Sequence, residues 1–176
     1  DRWRTVADGS AARTAALINP ETPVRRRAWL LDPATGFTIE NTLDVSSLYG
    51  VYTFVLPFAD PKMLTNTVTA LEQKLLDHSP SGGMPRFEQD GYFLAHPEFQ
   101  GNPWIVTTLW YAQYCLREGD TAKAEHYIEW TERTALPSGT LPEQIDPING
   151  SVLSVTPLVW SHAEFVNTIL DLASHK

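Results

Sequence analysis

The sequence of 176 residues is poor in cysteine, in positive charge and in long apolar runs. Its single Cys excludes an internal disulfide and is compatible with a reducing cytoplasm, the compartment that is slightly favoured. No apolar stretch reaches the ~18 residues of a membrane span, so we expect a soluble chain without a membrane partner. The 13 Lys and Arg against 21 Asp and Glu give a net charge of −8. This balance argues against nucleic-acid binding, because phosphates are neutralised by clustered basic residues.

The sequence also lacks the spacings that mark metal and phosphate sites. Its five His residues show no HExxH or other metal-ligand spacing, so a zinc site is not expected. The segment Ser81-Gly82-Gly83 has neither the Lys nor the following helix start that a phosphate-binding loop requires.

What the sequence does contain is a series of apolar-periodic segments of helical length, separated by Gly and Pro. This pattern predicts an all-α fold. The predicted helices span residues 3–18 and 43–55, and four more begin near Pro61, Pro103, Asp120 and Pro157. Residues 43–55 would also suit a strand because they are rich in β-branched and aromatic side chains, but we prefer a helix capped by Asp44. Residues 27–40 predict a short β-hairpin that turns at Pro33 to Gly36.

Three helix boundaries and one helix face are specific enough to compare with a structure. Asn102 is expected to cap a helix whose first residue is Pro103, and Gly119 is expected to end it. The next helix, capped by Asp120, is expected to pair with it as an αα-hairpin. Thr156-Pro157 is expected to open the last helix. The candidates for its inward face are Phe165, Ile169 and Leu172.

Two long loops, residues 79–101 and 136–155, separate these helices. Loops of about 20 residues are longer than compact domains usually keep without a function. The first loop places Arg86, Glu88 and Asp90 among aromatic residues, and the second places Glu143 and Asp146 between prolines. Arginine and carboxylates bind hydroxyl groups, so this composition suits a carbohydrate pocket.

Two tryptophans belong to the same interpretation. Trp104 and Trp160 follow the predicted helix starts, so both are expected near the mouth of a helical barrel, where an aromatic face can stack on a sugar ring. Each candidate also has an ordinary structural interpretation: Glu143 as a solvated carboxylate, Arg86 as a surface or ion-paired residue, and the tryptophans as core packing.

Five segments, taken in order, resemble glycoside hydrolase family 15, the glucoamylase family. They are LDVSSL (43–48), PRFEQDGYF (85–93), GNPWIVTTLWYAQY (101–114), LPEQIDP (141–147) and LSVTPLVWSHAEFV (153–166). Each segment is a weak signal alone, but their order and spacing cover about two thirds of the chain and are specific together.

The resemblance implies roles for individual residues. It implies that Glu143, in the LPEQ motif, is the catalytic general base. It also implies that the sugar pocket is lined by Arg86 and Trp160, with Asp90 and Trp104 nearby. Phe87 departs from the pattern because relatives often carry Tyr there, so a hydroxyl contact is lost.

The family resemblance also implies a fold, the (α/α)6 barrel or six-hairpin toroid. Only about six helices are predicted here, about half of what such a barrel needs. We therefore interpret residues 1–176 as a partial catalytic domain, the C-terminal half of the barrel. Its expected partners are an α-glucan and an N-terminal half that carries the general acid, so the 176-residue chain alone is expected to be inactive.

The function implied by the resemblance is an inverting exo-hydrolase that releases glucose from the non-reducing ends of α-linked glucans. This mechanism needs no metal or organic cofactor. Within the family, a trehalase or a glucodextranase acting on α-1,6 links stays open. A non-catalytic sugar-sensing or regulatory domain and an all-α interaction module are the alternatives from other classes.

Overall fold

The computed structural model describes residues 2–16, 26–32, 36–54 and 61–175, which form two compact units, Asp1–Gln73 and Lys74–Lys176. The first unit contains helix α1 (Arg2–Ala16), strands β1 (Arg26–Asp32) and β2 (Gly36–Asn41), helix α2 (Val45–Phe54) and most of helix α3 (Pro61–Lys74). The second contains helices α4 (Ile105–Arg117) and α5 (Thr121–Thr134), strands β3 (Gln144–Ile145) and β4 (Val152–Leu153), and helix α6 (Val159–Ser174). The predicted all-α class is confirmed.

In the first unit, the predicted hairpin is confirmed. Strands β1 and β2 pair antiparallel, with Arg27 opposite Glu40 and Leu30 opposite Phe37. Residues 33–35 of the predicted turn lie outside the described residues, as do residues 17 and 18 at the end of the predicted first helix.

The segment that would also have suited a strand forms helix α2, as preferred. Asp44 caps it as predicted, because its Oδ1 accepts hydrogen bonds from the Ser46 N–H at 2.8 Å and from Ser46 Oγ at 2.6 Å. Three of the buried core side chains, Leu43, Val45 and Leu48, lie at the start of this helix. Burial of one face therefore decides the conformation over the strand propensity of its β-branched residues.

In the second unit, α4 is buried over most of its circumference and packs against both α5 and α6. The core of this unit combines side chains from α4, α5 and the second long loop, namely Ile105, Leu109, Trp130, Leu141 and Ile145. Gly119 ends α4 with a positive φ of 80°, and the Asp120 side chain accepts from the Lys123 N–H at 3.1 Å, so the predicted αα-hairpin is confirmed. None of the described helices is both long and apolar enough to cross a membrane.

The predicted starts of α4 and α6 are each wrong by two residues. Helix α4 begins at Ile105, after Trp104, and the Asn102 amide that was expected to cap it is engaged with three other loop groups instead. Helix α6 begins at Val159 rather than at Pro157.

The expected inward face of α6 is confirmed at Phe165, which packs against the core of the second unit, but it does not contain the most buried residues of the helix. Its fully buried residues are polar, and the predicted apolar candidates are only half-buried. The buried set is Ser161, Glu164 and Thr168. An apolar-periodicity argument cannot find a row of this kind, because its polar groups are buried with hydrogen-bond partners.

Candidate active site

The two long loops meet at the residues that precede α4. Trp104 forms an antiparallel bridge with Met84 on one side and another with Gln144 on the other. The Trp104 N–H donates to the Met84 carbonyl at 3.0 Å, and the Ile105 N–H donates to the Glu143 carbonyl at 3.2 Å. Backbone pairing therefore fixes both loops against the start of α4.

Arg86 lies at the centre of the first loop. Its Nε and Nη2 donate to the two carboxylate oxygens of Asp90, both at 2.7 Å, and Asp90 is only 1% exposed. The guanidinium also lies 4.2 Å from the ring centroid of Trp104 and 5.1 Å from those of Tyr92 and Phe87. Bidentate pairing and cation–π contacts hold the guanidinium in one orientation.

The charge of Arg86 is coupled to both loops. The hydrogen bond to Asp90 raises the pKa of Arg86 above its ordinary value, against the opposing effect of burial, and the negative charges of Asp90 and Glu143 raise it further. Arg86 is therefore permanently charged, and Glu143 lies close enough to share its electrostatic field.

Asp90 is held by backbone groups as well as by Arg86. Its N–H donates to the Gln100 carbonyl at 2.7 Å, and its Oδ1 accepts from the Tyr92 N–H at 3.2 Å. Gly101 approaches so closely that a Cβ there would lie 2.8 Å from the Asp90 Cβ. The loop therefore places Asp90 by close backbone packing.

Glu143 is half-buried on the second loop, and one of its carboxylate oxygens is fixed. Oε2 accepts a short hydrogen bond from Ser154 Oγ and a longer one, at 3.4 Å, from Gln144 Nε2. Ser154 adopts a left-handed φ of 61°, an uncommon conformation for a residue other than glycine. No described residue donates a hydrogen bond to the second oxygen, Oε1. The carboxylate is thus oriented by the protein while keeping one oxygen able to accept a proton.

Trp160 lies in the first turn of α6 with 48% of its surface exposed. Its Nε1 donates to Glu164 Oε1 at 3.3 Å, and its ring packs edge-on against Trp110 at 5.6 Å. Glu164 is buried, and its Oε2 accepts from Gln113 Nε2 at 3.0 Å. Sequence reasoning missed Glu164 and Gln113, although Glu164 lies within the SHAEF part of a matching segment.

The start of α6 is tied to the residues beside Glu143. Ser161 Oγ donates to the Pro142 carbonyl at 2.7 Å, and the Leu158 N–H donates to the Leu141 carbonyl at 3.1 Å. Arg86, Asp90 and Trp104 thus form one contact cluster, which backbone pairing joins to Glu143. Trp160 and Glu164 on α6 are attached to the second loop through the hydrogen bonds of Ser161 and Leu158.

A second connection between the loops involves Asp146 and His96. The Asp146 Oδ2 lies 3.2 Å from His96 Nε2, and its Oδ1 accepts from the N–H groups of Ile148 and Asn149. Burial acts to raise the pKa of Asp146, but the hydrogen bonds from Asn149, Ile148 and His96 outweigh it and the pKa lies below its ordinary value. Within the described residues, no group of three or more His, Cys, Asp or Glu side chains is arranged to hold a metal ion.

Comparison with known sequences gives related hydrolases, although no protein-family model matches the chain. The sequence is 33% identical over 141 residues to an uncharacterized glycosyl hydrolase of Methanocaldococcus jannaschii, covering 73% of this chain and 22% of that protein. It is 27% identical over 195 aligned positions to a glucoamylase of Clostridium sp., covering 100% of this chain and 27% of that protein. The chain thus spans only 22% to 27% of the length of these relatives.

Known structures agree with the sequence comparison. A bacterial glucoamylase complexed with acarbose superposes with a TM-score of 0.63 at 25% identity, over 86% of this chain and 23% of that one. A glycosidase superposes with a TM-score of 0.69 at 22% identity, over 97% of this chain and 45% of that one, and supports the fold.

In sequence and in fold, the chain is therefore similar to a segment of mostly helical glycoside hydrolases. Within that class the similarity extends to glucoamylases, and the mostly helical structure of the chain is consistent with the all-α fold of those enzymes. The resemblance inferred from the five segments is confirmed at this level.

Proposed function

We propose that the protein is an inverting, exo-acting glucoamylase-type hydrolase, with Glu143 as general base. The observation that carries this proposal is the Glu143 carboxylate itself: Ser154 and Gln144 fix one oxygen, while the other accepts no hydrogen bond from the described residues. A general base needs this combination, because it must be oriented and must also keep a lone pair for the proton of a water.

In this mechanism Glu143 removes a proton from a water that attacks the anomeric carbon. The bond to the leaving oxygen breaks on the opposite face, where a second carboxyl group supplies a proton, roughly 6.5–9.5 Å from the base. Two nearby carboxylates are already engaged, since Asp90 is paired with Arg86 and Glu164 accepts from Trp160 and Gln113. We therefore propose that the acid comes from a part of the barrel beyond residues 1–176, in keeping with the greater length of the relatives.

The surrounding residues suit the recognition of a glucosyl unit. The Arg86 guanidinium, oriented by Asp90, can donate to sugar hydroxyls, and the exposed half of the Trp160 ring offers an apolar wall. The proposed substrate is an α-linked glucan. The acarbose complex of the bacterial glucoamylase supports this choice. Trehalose and α-1,6-linked dextran are the competing substrates, and a non-catalytic sugar-binding role is the competing function.

The first test is the stereochemistry of the product from the full-length protein. Proton NMR of a maltooligosaccharide digest should show β-glucose as the first anomer released, because inversion converts an α-linkage to a β-product. Release of the α-anomer would contradict the inverting mechanism. Binding without any hydrolysis of maltose, trehalose or dextran would favour the sugar-binding role.

The second test concerns the base. Glu143→Gln should lower kcat by about 10²–10⁴-fold with a much smaller change in KM, because the amide cannot accept the proton from water. Glu143→Ala should regain turnover of α-glucosyl fluoride with added azide, which displaces fluoride and yields β-glucosyl azide. Glu132→Gln, on an exposed position of α5, is the matched control and should behave as wild type. Unchanged kcat in Glu143→Gln would place the base elsewhere.

A further inference from the structure

Phe93, in the first long loop, combines two unfavourable features. Its backbone adopts a left-handed φ of 51°, and its side chain is 64% exposed to solvent. A bulky residue in the left-handed region is a true outlier, and an exposed aromatic ring lacks the favourable free energy that burial of its apolar surface would give. Such an outlier is a reason to look for a function at that position.

The left-handed conformation is enforced by the scaffold of the site. The side-chain amide of Asn102 donates to the Phe93 carbonyl at 2.8 Å and accepts from the Ala95 N–H at 3.1 Å. The same Asn102 Nδ2 donates to Gln144 Oε1 at 2.6 Å, next to Glu143. Asn102 is buried, so it has little freedom to release Phe93. The exposed ring is therefore held in place by groups that also build the candidate active site.

Phe93 is the outer end of a continuous aromatic row. Its ring lies edge-on to Tyr92 at 4.9 Å, and Tyr92 lies 6.0 Å from Trp104. The guanidinium of Arg86 contacts both Tyr92 and Trp104. Exposure rises along the row, from 3% at Trp104 to 44% at Tyr92 and 64% at Phe93. The row thus leads from the buried side of the Arg86 cluster out to solvent.

We propose that Phe93 is a specificity-determining residue that binds a glucosyl unit outside the Arg86 cluster and so favours oligosaccharides over disaccharides. This inference rests on the proposed function. A sugar chain is the occupant that fits, because its pyranose rings present apolar C–H faces to an aromatic ring while their hydroxyl groups stay in water. Continuity with the Arg86 cluster argues for the same substrate chain rather than for a separate partner.

The experiment compares kcat/KM for maltopentaose and for maltose in the full-length protein. Phe93→Gly removes the ring and also relieves the backbone, because glycine adopts a positive φ without cost. Phe93→Tyr keeps a ring of the same shape. Leu170→Ala is the control for loss of an exposed apolar side chain, since Leu170 on α6 is 63% exposed. Isothermal titration of maltopentaose into each variant combined with Glu143→Gln measures binding without turnover.

We expect Phe93→Gly to lower the ratio of kcat/KM for maltopentaose to that for maltose by about threefold to tenfold, the contribution of one aromatic contact. The melting temperature of Phe93→Gly should not fall below that of wild type. Phe93→Tyr should keep the wild-type ratio, and Leu170→Ala should have the same ratio as wild type. Binding of maltopentaose should weaken by the same factor as the ratio. An unchanged ratio in an active enzyme overturns the role of Phe93 and leaves the proposed function standing.

Other outcomes also decide the question. Equal losses on both substrates in Phe93→Gly would show that the ring acts on the inner site and would overturn the selectivity claim. If the full-length wild type neither hydrolyses nor binds these sugars, the proposed function itself fails and the inference about Phe93 fails with it.

Discussion

The two long loops differ in how completely they hold a charged side chain in place. In residues 79–101, Arg86 is held in one orientation, because Asp90 pairs with it through two hydrogen bonds of 2.7 Å and three aromatic rings lie against it. In residues 136–155, Glu143 has one oxygen held and, among the described residues, no donor to the other. The first loop fixes the orientation of the Arg86 guanidinium. The second loop orients the Glu143 carboxylate but leaves one of its oxygens able to accept a proton.

This difference suits Arg86 to substrate binding and Glu143 to proton transfer. A cation whose orientation is fixed presents the same donors to every substrate molecule, which is what recognition needs. A base must exchange a proton, so complete satisfaction by the protein would disable it. The first loop is therefore expected to govern KM and stability, and the second to govern kcat.

Among the variants that test this comparison, the largest loss of stability is expected from Asp90→Asn, which breaks the pair with Arg86. It leaves the Arg86 guanidinium without its counter-charge, and removal of one partner from a mostly buried pair costs about 3 kcal/mol. We expect the free energy of unfolding in urea to fall by that amount and kcat/KM to fall about 100-fold, mostly through KM.

The matched control is Glu129→Gln, because Glu129 and Arg133 have the same i, i+4 spacing on exposed positions of α5, at 3.7 Å. That pair should contribute less than about 0.5 kcal/mol. If the two variants destabilised the protein equally, the structural importance assigned to the Arg86 pair would be wrong.

The next largest effect is expected from Gly101→Ala. A Cβ at this position would lie 2.8 Å from the Asp90 Cβ and 3.0 Å from the Pro85 Cβ, and the φ of 156° favours glycine. Asp90 must shift to relieve this overlap, so we expect a loss of about 1–3 kcal/mol in unfolding free energy together with a raised KM. Gly91→Ala is the control in the same loop, since nothing lies within 4 Å of its Cβ position. A stable Gly101→Ala variant with an unchanged KM would show that the loop tolerates displacement of Asp90.

A smaller effect on kcat is expected from Ser154→Ala in the second loop. The substitution removes the hydroxyl that orients Glu143 Oε2 but leaves Oε1 untouched. We expect kcat to fall about tenfold with little change in KM, because loss of orientation costs on the order of one hydrogen bond. Ser138→Ala removes an exposed hydroxyl from the same loop and should have no effect. A rise in KM alone would assign Ser154 to substrate binding instead.

The two loops also differ from the helices in how far the sequence predicts them. Apolar periodicity and capping residues predicted α4, α5 and their hairpin, because burial and local backbone chemistry decide those elements. The same reasoning placed the starts of α4 and α6 two residues early. Asn102 has the side chain of a cap, but its amide hydrogen-bonds to Ala95, Phe93 and Gln144, which lie 7, 9 and 42 positions away in sequence.

The residues of the candidate site are likewise predicted only in part from the sequence. The resemblance to glucoamylases nominated Arg86, Asp90, Trp104, Glu143 and Trp160, and the structure groups the first three around one guanidinium. Ser154, Glu164 and Gln113 lie within the matching segments, but no local pattern assigned a role to any of them. Each depends on a hydrogen bond between segments 11 or 51 positions apart, which local patterns do not encode.

The smallest effect is expected from Asp146→Asn, which tests whether the loops act separately or are joined through His96. The folded protein holds the pKa of Asp146 below its ordinary value of 3.8, so the ionised carboxylate stabilises the fold above that pH, and this stabilisation is lost as the pH falls through the lower, folded pKa. We expect the variant to lose about 1 kcal/mol in unfolding free energy at pH 7. The difference from wild type should shrink as the pH drops below about 4. Asp171→Asn, at an exposed position of α6, is the control for loss of one carboxylate and should cost less than about 0.5 kcal/mol at pH 7. A constant difference from pH 7 to pH 3 would mean that packing, rather than the charge of Asp146, joins the two loops.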